Sequence, residues 1–124
     1  MAVPILKERD VLIASVQAAL SDDDLVELRD ALAERIGRSR ARGVVLDVAA
    51  LDVLDSFATR TIRGIAMTAK LRGAATVVVG IQPDVAMAMV QLGLTFDGIQ
   101  TALDLEDGVA LLRKGMRKGG ARER

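Results

Sequence analysis

The chain has 124 residues, 51% of them hydrophobic but only 2% aromatic, so its core is aliphatic and of single-domain size. The 17 Lys and Arg balance the 17 Asp and Glu, which predicts no field over the whole molecule to draw in nucleic acid or acidic substrates. With no Cys and no His, disulfides, thiol chemistry, Cys/His zinc sites and histidine-based triads are excluded.

The first ten residues carry Lys7, Glu8, Arg9 and Asp10, so no apolar leader is read there. No apolar run reaches membrane-spanning length, and the expectation is a soluble cytoplasmic protein. Pro4-Ile5-Leu6-Lys7 reads as a strand that pairs across a tight turn with Val11-Leu12-Ile13-Ala14-Ser15-Val16. Ser21 followed by Asp22, Asp23 and Asp24 supplies a cap and an acidic first turn. Leu25, Leu28, Leu32 and Ile36 then mark one helical face. That acidic run is read as a capping turn rather than a cation site.

Val44-Val45-Leu46-Asp47-Val48 and Thr76-Val77-Val78-Val79-Gly80 are nearly continuous β-branched runs, the pattern of strands buried on both faces. Between them a helix is predicted from about Ser56 to Leu71, with Ala58, Ile62, Ile65, Ala66 and Ala69 inward and Gly73 ending it. A third helix starts at Pro83 and stops at Gly93. A fourth, capped by Asp104, carries Leu105, Val109, Leu112 and Met116 as a stripe. The alternation predicts one mixed, mainly parallel sheet of four to five strands covered by four helices, an α/β fold. Residues 1–112 form the domain. Residues 113–124 form a basic tail, read as the end of the last helix followed by a flexible segment.

Familiar chemistry is hard to place. No GxxxxGK[ST] or GxGxxG loop follows a strand, which weakens a small nucleotide-binding or hydrolytic enzyme. No GxSxG elbow occurs. Asp47 and Asp55 could pair as carboxylates, but nothing basic or metal-ligating surrounds them in the sequence. Phe57 and Phe96 are the only aromatics, too few for a base-stacking platform. One segment is informative: Asp47 to Arg60 joins a buried strand to a helix, where functional groups collect in open parallel sheets. Ser56 falls at or next to the N-cap of that helix; it reads as a plain cap or as an exposed hydroxyl open to phosphorylation, and the two readings are compatible.

Asp55-Ser56-Phe57 after Gly43-Val44-Val45-Leu46-Asp47-Val48 resembles the STAS domain, the sulfate-transporter and anti-sigma-factor-antagonist fold. Pro4-Ile5-Leu6-Lys7, Ser15-Val16-Gln17, Gly80-Ile81-Gln82-Pro83-Asp84-Val85-Ala86, Leu92-Gly93-Leu94 and Thr101-Ala102-Leu103-Asp104-Leu105 narrow the resemblance to its RsbS-type stressosome members. It spans about residues 4–112. The resemblance implies a non-enzymatic scaffold that sequesters an RsbT-type serine kinase, assembles with RsbR-type STAS paralogues and with itself, and regulates a sigma-factor type stress cascade. By position Ser56 matches the family's phosphoserine. Asp55, Ser56, Phe57, Thr59 and Arg60 become the expected partner-binding residues, while Arg63 reads as a solvated charge or a kinase contact. No cofactor, metal, nucleic acid or membrane is implied. The alternative within the same fold is a free-standing anti-sigma-factor antagonist that binds an anti-sigma kinase directly.

Overall fold

The structure, a computed structural model, describes residues 3–18 and 20–122, with side chains as far as Arg117. Its elements in chain order are β1 (Ile5–Glu8), β2 (Val11–Ser15), α1 (Asp22–Ser39), β3 (Gly43–Asp47), α2 (Ser56–Leu71), β4 (Ala75–Val79), α3 (Pro83–Gln91), β5 (Gln100–Ala102) and α4 (Leu105–Arg122). The five strands lie in the order β1-β2-β3-β4-β5. β1 pairs antiparallel with β2, and the remaining pairs are parallel.

This strand order explains the layering. Each parallel crossover steps one strand further in the same direction, so crossovers of one hand place their helices on one face. Side-chain parity in the strands agrees. Leu12, Ala14, Val44, Leu46 and Val78 join the larger core with residues of α1, α2 and α3. Val11, Ile13, Val45, Val77 and Val79 face the other way and form a smaller core with Leu112 of α4. α4 follows the last strand and folds back over the second face. The β-branched runs are therefore buried on both sides, as their sequence predicts, with Val44, Val45, Leu46, Val77 and Val78 all 0% exposed.

The helix signals behave as local chemistry dictates. Ser21 and Asp24 form a reciprocal capping box at α1, with the Ser21 N–H donating to Asp24 Oδ2 and the Asp24 N–H to Ser21 Oγ, both at 3.1 Å. The Ser21 backbone N–H holds the Asp24 carboxyl below its ordinary value. The acidic turn is thus a cap. α4 begins with the Asp107 N–H donating to Asp104 Oδ1 at 2.9 Å. Its predicted stripe is only partly buried: Leu112 is 2% exposed, but Leu105 is 37% exposed. Gly108 takes the contact with the sheet instead. Residue 112 lies inside α4, which continues to Arg122. The flexible end expected for the tail falls on residues 123 and 124, outside the described residues.

The start of that tail is tied to the sheet. Arg113 Nη1 donates to Asp10 Oδ1 at 3.0 Å, joining α4 to the β1–β2 turn. Burial pushes the Asp10 carboxyl up, but the Arg113 bond and charge outweigh it and the net shift is downward. A depressed folded pKa stabilises the fold above the unfolded value of about 3.9, and that contribution is lost as pH falls through the folded value. The stability gap between wild type and Asp10→Asn, measured by urea unfolding, is therefore expected to narrow from pH 7 to pH 3. A gap that stays constant would remove the pair from the acid response. The effect is small, because the Asp10 side chain is 35% exposed and solvent screens the pair.

Candidate functional site

The parallel strands β2 to β5 all exit on one edge of the sheet, and the four helix N-termini lie on the same edge. The connection from β3 to α2 is fixed there by its own side chains. Asp47 Oδ1 accepts the Ala49 N–H at 2.9 Å. The Val48 N–H donates to the Val79 carbonyl at 3.0 Å and continues the sheet contact. Val48, Leu51 and Leu54 are buried, while Asp52 and Val53 between the last two, and Asp55 after them, are exposed. Gln82 braces the loop from the next connection, its Nε2 donating to the Ala49 carbonyl at 2.8 Å and to Asp52 Oδ1 at 3.3 Å. Gly80 permits this approach. Its φ is +81°, and a Cβ there would lie 2.9 Å from the Ala49 Cβ.

Of the two readings of Ser56, the plain cap is ruled out. The N-cap is Asp55, whose Oδ1 accepts the Ala58 N–H at 2.7 Å, and Ser56 is the first residue of α2. Ser56 is exposed, with its hydroxyl unpaired among the described residues. The N–H groups of Ser56 and Phe57 also carry no hydrogen bond among the described residues. These are the outward donors a helix start leaves over, and they favour negative charge. The local arrangement is thus a free hydroxyl at a helix start with two free amides, next in the chain to the capping carboxylate of Asp55.

The other expected residues divide. Arg60 is exposed and makes no ion pair among the described residues. Phe57 is half-buried and packs against the larger core, so it anchors the helix start and offers only part of its ring to a partner. Thr59 is a correction. It is 0% exposed, and no partner docked on the folded surface touches it. Its Oγ1 is buried without a hydrogen-bond partner, and the folded chain closes it to a kinase. Thr61 is also buried, and its Oγ1 donates to the Phe57 carbonyl at 2.9 Å. Arg63 makes no ion pair among the described residues, and its Nη1 donates to the Thr95 carbonyl at 3.3 Å, which ties α2 to the loop before β5.

An unpaired buried hydroxyl costs stability, and Val matches the shape of Thr. Thr59→Val is expected to stabilise the fold by about 1–2 kcal/mol in urea unfolding. Destabilisation would mean that the hydroxyl is satisfied in solution.

Two features of this edge escape sequence reasoning. The Gln82 brace spans more than thirty residues of chain, and nothing in its spacing announces it; Gln82-Pro83 marks only a helix start. Beside Asp55 lies a cavity of about 200 Å³ lined by Val16, Leu20, Leu25, Leu51, Val53 and Ala58, with Val53 exposed at 72%. It is large enough for one apolar side chain. Among the described residues no group of three acidic side chains could hold a metal ion. No helix among them is long and apolar enough to cross a membrane.

The STAS domain family model matches residues 2–108. No curated protein sequence matches the chain. Among solved structures, a serine-to-glutamate variant of RsbS from Moorella thermoacetica is 35% identical with a TM-score of 0.81, covering 93% of this chain and 97% of that one. A chain from the stressosome, described as a signal integration and transduction hub, is 35% identical with a TM-score of 0.78, covering 92% and 99%. The Bacillus anti-sigma factor antagonist SpoIIAA in its unphosphorylated form shares the fold at 13% identity, with a TM-score of 0.68 over 91% and 98%. The chain belongs to the STAS domain family, and over nearly its whole length it is similar to RsbS.

Proposed function

We propose that the chain is a non-enzymatic, cytoplasmic scaffold subunit of a stressosome-type assembly, working by partner switching. It holds an RsbT-type serine kinase against the α2 edge and releases it when Ser56 is phosphorylated, feeding a sigma-factor type stress cascade. RsbR-type STAS paralogues and further copies of the chain complete the assembly. The carrying observation is Ser56 itself: an exposed, unpaired hydroxyl at the first position of α2, in a chain 35% identical to RsbS.

The geometry supports each step physically. The loop is braced by Gln82 and by buried Leu51 and Leu54, so Ser56 is presented on a rigid frame. A phosphate there meets two free amides and the positive end of the helix dipole, which together favour it by roughly 0.3–1 kcal/mol. The fold survives modification. The kinase brings ATP, magnesium and the base, and nothing of this chain need react beyond the Ser56 oxygen. That oxygen attacks the γ-phosphorus of ATP, the bond to ADP breaks, and the hydroxyl proton passes to the kinase base.

The test is intact mass with site mapping after incubation with an RsbT-type kinase and Mg-ATP. Wild type is expected to gain one phosphate on Ser56, and Ser56→Ala none while keeping its fold. Phosphate on another residue, or equal labelling of Ser56→Ala, would overturn the assignment.

A further inference from the structure

Thr76, near the start of β4, is only 8% exposed, and its Oγ1 has no hydrogen-bond partner among the described residues. Side chains alternate along a strand, so Thr76 shares the face of Val78, which packs in the larger core with α2. A buried hydroxyl left unpaired costs stability, and any polar group that reaches it is favoured.

Thr76 stands on a cavity. A cleft of about 400 Å³ lies between the last turns of α2 and the start of β4, lined by Ala66, Lys70, Ala74, Thr76, Gly98 and Gln100. Ala66 and Lys70 are four residues apart in α2 and so share one face of the helix. Ala66 and Ala74 supply a short apolar wall. Lys70 brings an ammonium and Gln100 an amide, both exposed, and neither side chain has a partner among the described residues. Asp97, beside Gly98 in the chain, makes no ion pair with Lys70. One cation, two neutral donors and small apolar walls match a single negative charge on a short apolar body. They match the several charges of a phosphate poorly.

We infer that this cleft binds a small aliphatic carboxylate. Its charge meets the Lys70 ammonium, its oxygens accept from the Thr76 hydroxyl and the Gln100 amide, and its chain lies against Ala66 and Ala74. Lys70 is about 20 Å along α2 from Ser56 at the helical rise. The site is therefore separate from the kinase edge, and the inference does not rest on the assembly or phosphorylation readings above.

Amide chemical-shift titration of the whole chain with sodium hexanoate, at constant ionic strength, tests it. Saturable shifts are expected at Ala74, Thr76, Gly98 and Gln100, with a Kd on the order of 1 mM. 1-Hexanol keeps the apolar chain without the charge, and inorganic phosphate keeps charge without the chain. Each is expected to bind at least about tenfold more weakly than hexanoate. Lys70→Gln and Thr76→Val, with fold read from the same spectra, are each expected to weaken hexanoate binding, Lys70→Gln by at least about tenfold. Thr76→Ser keeps the hydroxyl and is expected to keep the affinity, and Ser56→Ala is expected to titrate as wild type does. Shifts that do not saturate, or that map away from the cleft, would overturn the inference. So would 1-hexanol or phosphate binding as tightly as hexanoate, or undiminished binding by folded Lys70→Gln.

Discussion

Under the proposed switch, the chain phosphorylated on Ser56 is expected to bind an RsbT-type kinase at least about 100-fold more weakly than the unmodified chain, with no loss of fold. Phosphate adds about −1.5 to −2 charge directly after the carboxylate of Asp55. Free in water that charge is tolerable, since the Ser56 and Phe57 amides face it and solvent screens the rest. Under a docked kinase the same charge is desolvated. Leaving a buried charge unpaired costs several kcal/mol, and about 1.4 kcal/mol is already tenfold in affinity. The carboxylate nearest the site is committed elsewhere, because Asp55 accepts the Ala58 N–H at 2.7 Å and cannot turn away without uncapping α2. Titration calorimetry with the kinase, on separately prepared phosphorylated and unmodified chain, reads the ratio. Ser56→Glu is expected to fall between them, having one negative charge and fewer acceptor oxygens. Equal affinities would mean that the kinase rests on another surface.

The second large effect concerns stability. A Cβ added to Gly108 would lie 2.5 Å from the Val79 Cγ1 and 3.3 Å from the Val77 Cγ1. Both valines belong to the smaller core, which α4 alone covers from its side of the sheet. The Gly108→Ala substitution is expected to destabilise the fold by about 1–3 kcal/mol through overpacking, and this exceeds the helix-propensity gain of at most about 1 kcal/mol. Gly64→Ala in α2 is the control, because nothing lies within 4 Å of its added Cβ. There only the propensity gain remains, and stabilisation of about 0.5–1 kcal/mol is expected. Urea unfolding that moves both variants in the same direction would remove the close approach of α4 as the reason for Gly108.

Much of the fold is legible in the sequence for identifiable reasons. The runs at Val44–Val48 and Thr76–Val79 are β-branched and unbroken because both faces of their strands are covered. α2 is found from Ser56 to Leu71 because its inward residues recur at helical spacing and Gly73 follows in a left-handed turn with φ +88°. β5 is the weakest signal, since Gln100-Thr101-Ala102 is three residues long and mostly exposed.

The site is legible only in part. Asp and Ser are both good caps, so the sequence does not rank adjacent Asp55 and Ser56. Thr59 lies about 100° around the helix from Ala58, on a flank, and only the tertiary neighbours decide that this flank is covered. Arg63 looks like a solvated charge because its acceptor, the Thr95 carbonyl, comes from a distant loop.

The most direct measurement follows kinase release and phosphorylation in one reaction. A complex of the chain with an RsbT-type kinase is started with Mg-ATP, and bound kinase and Ser56 phosphate are recorded at each time point, for wild type and Ser56→Ala. Kinase that leaves wild type in step with one phosphate on Ser56, and stays on Ser56→Ala, is the expected result. Kinase that remains on fully phosphorylated wild type, or leaves Ser56→Ala at the same rate, would contradict the switch at this serine.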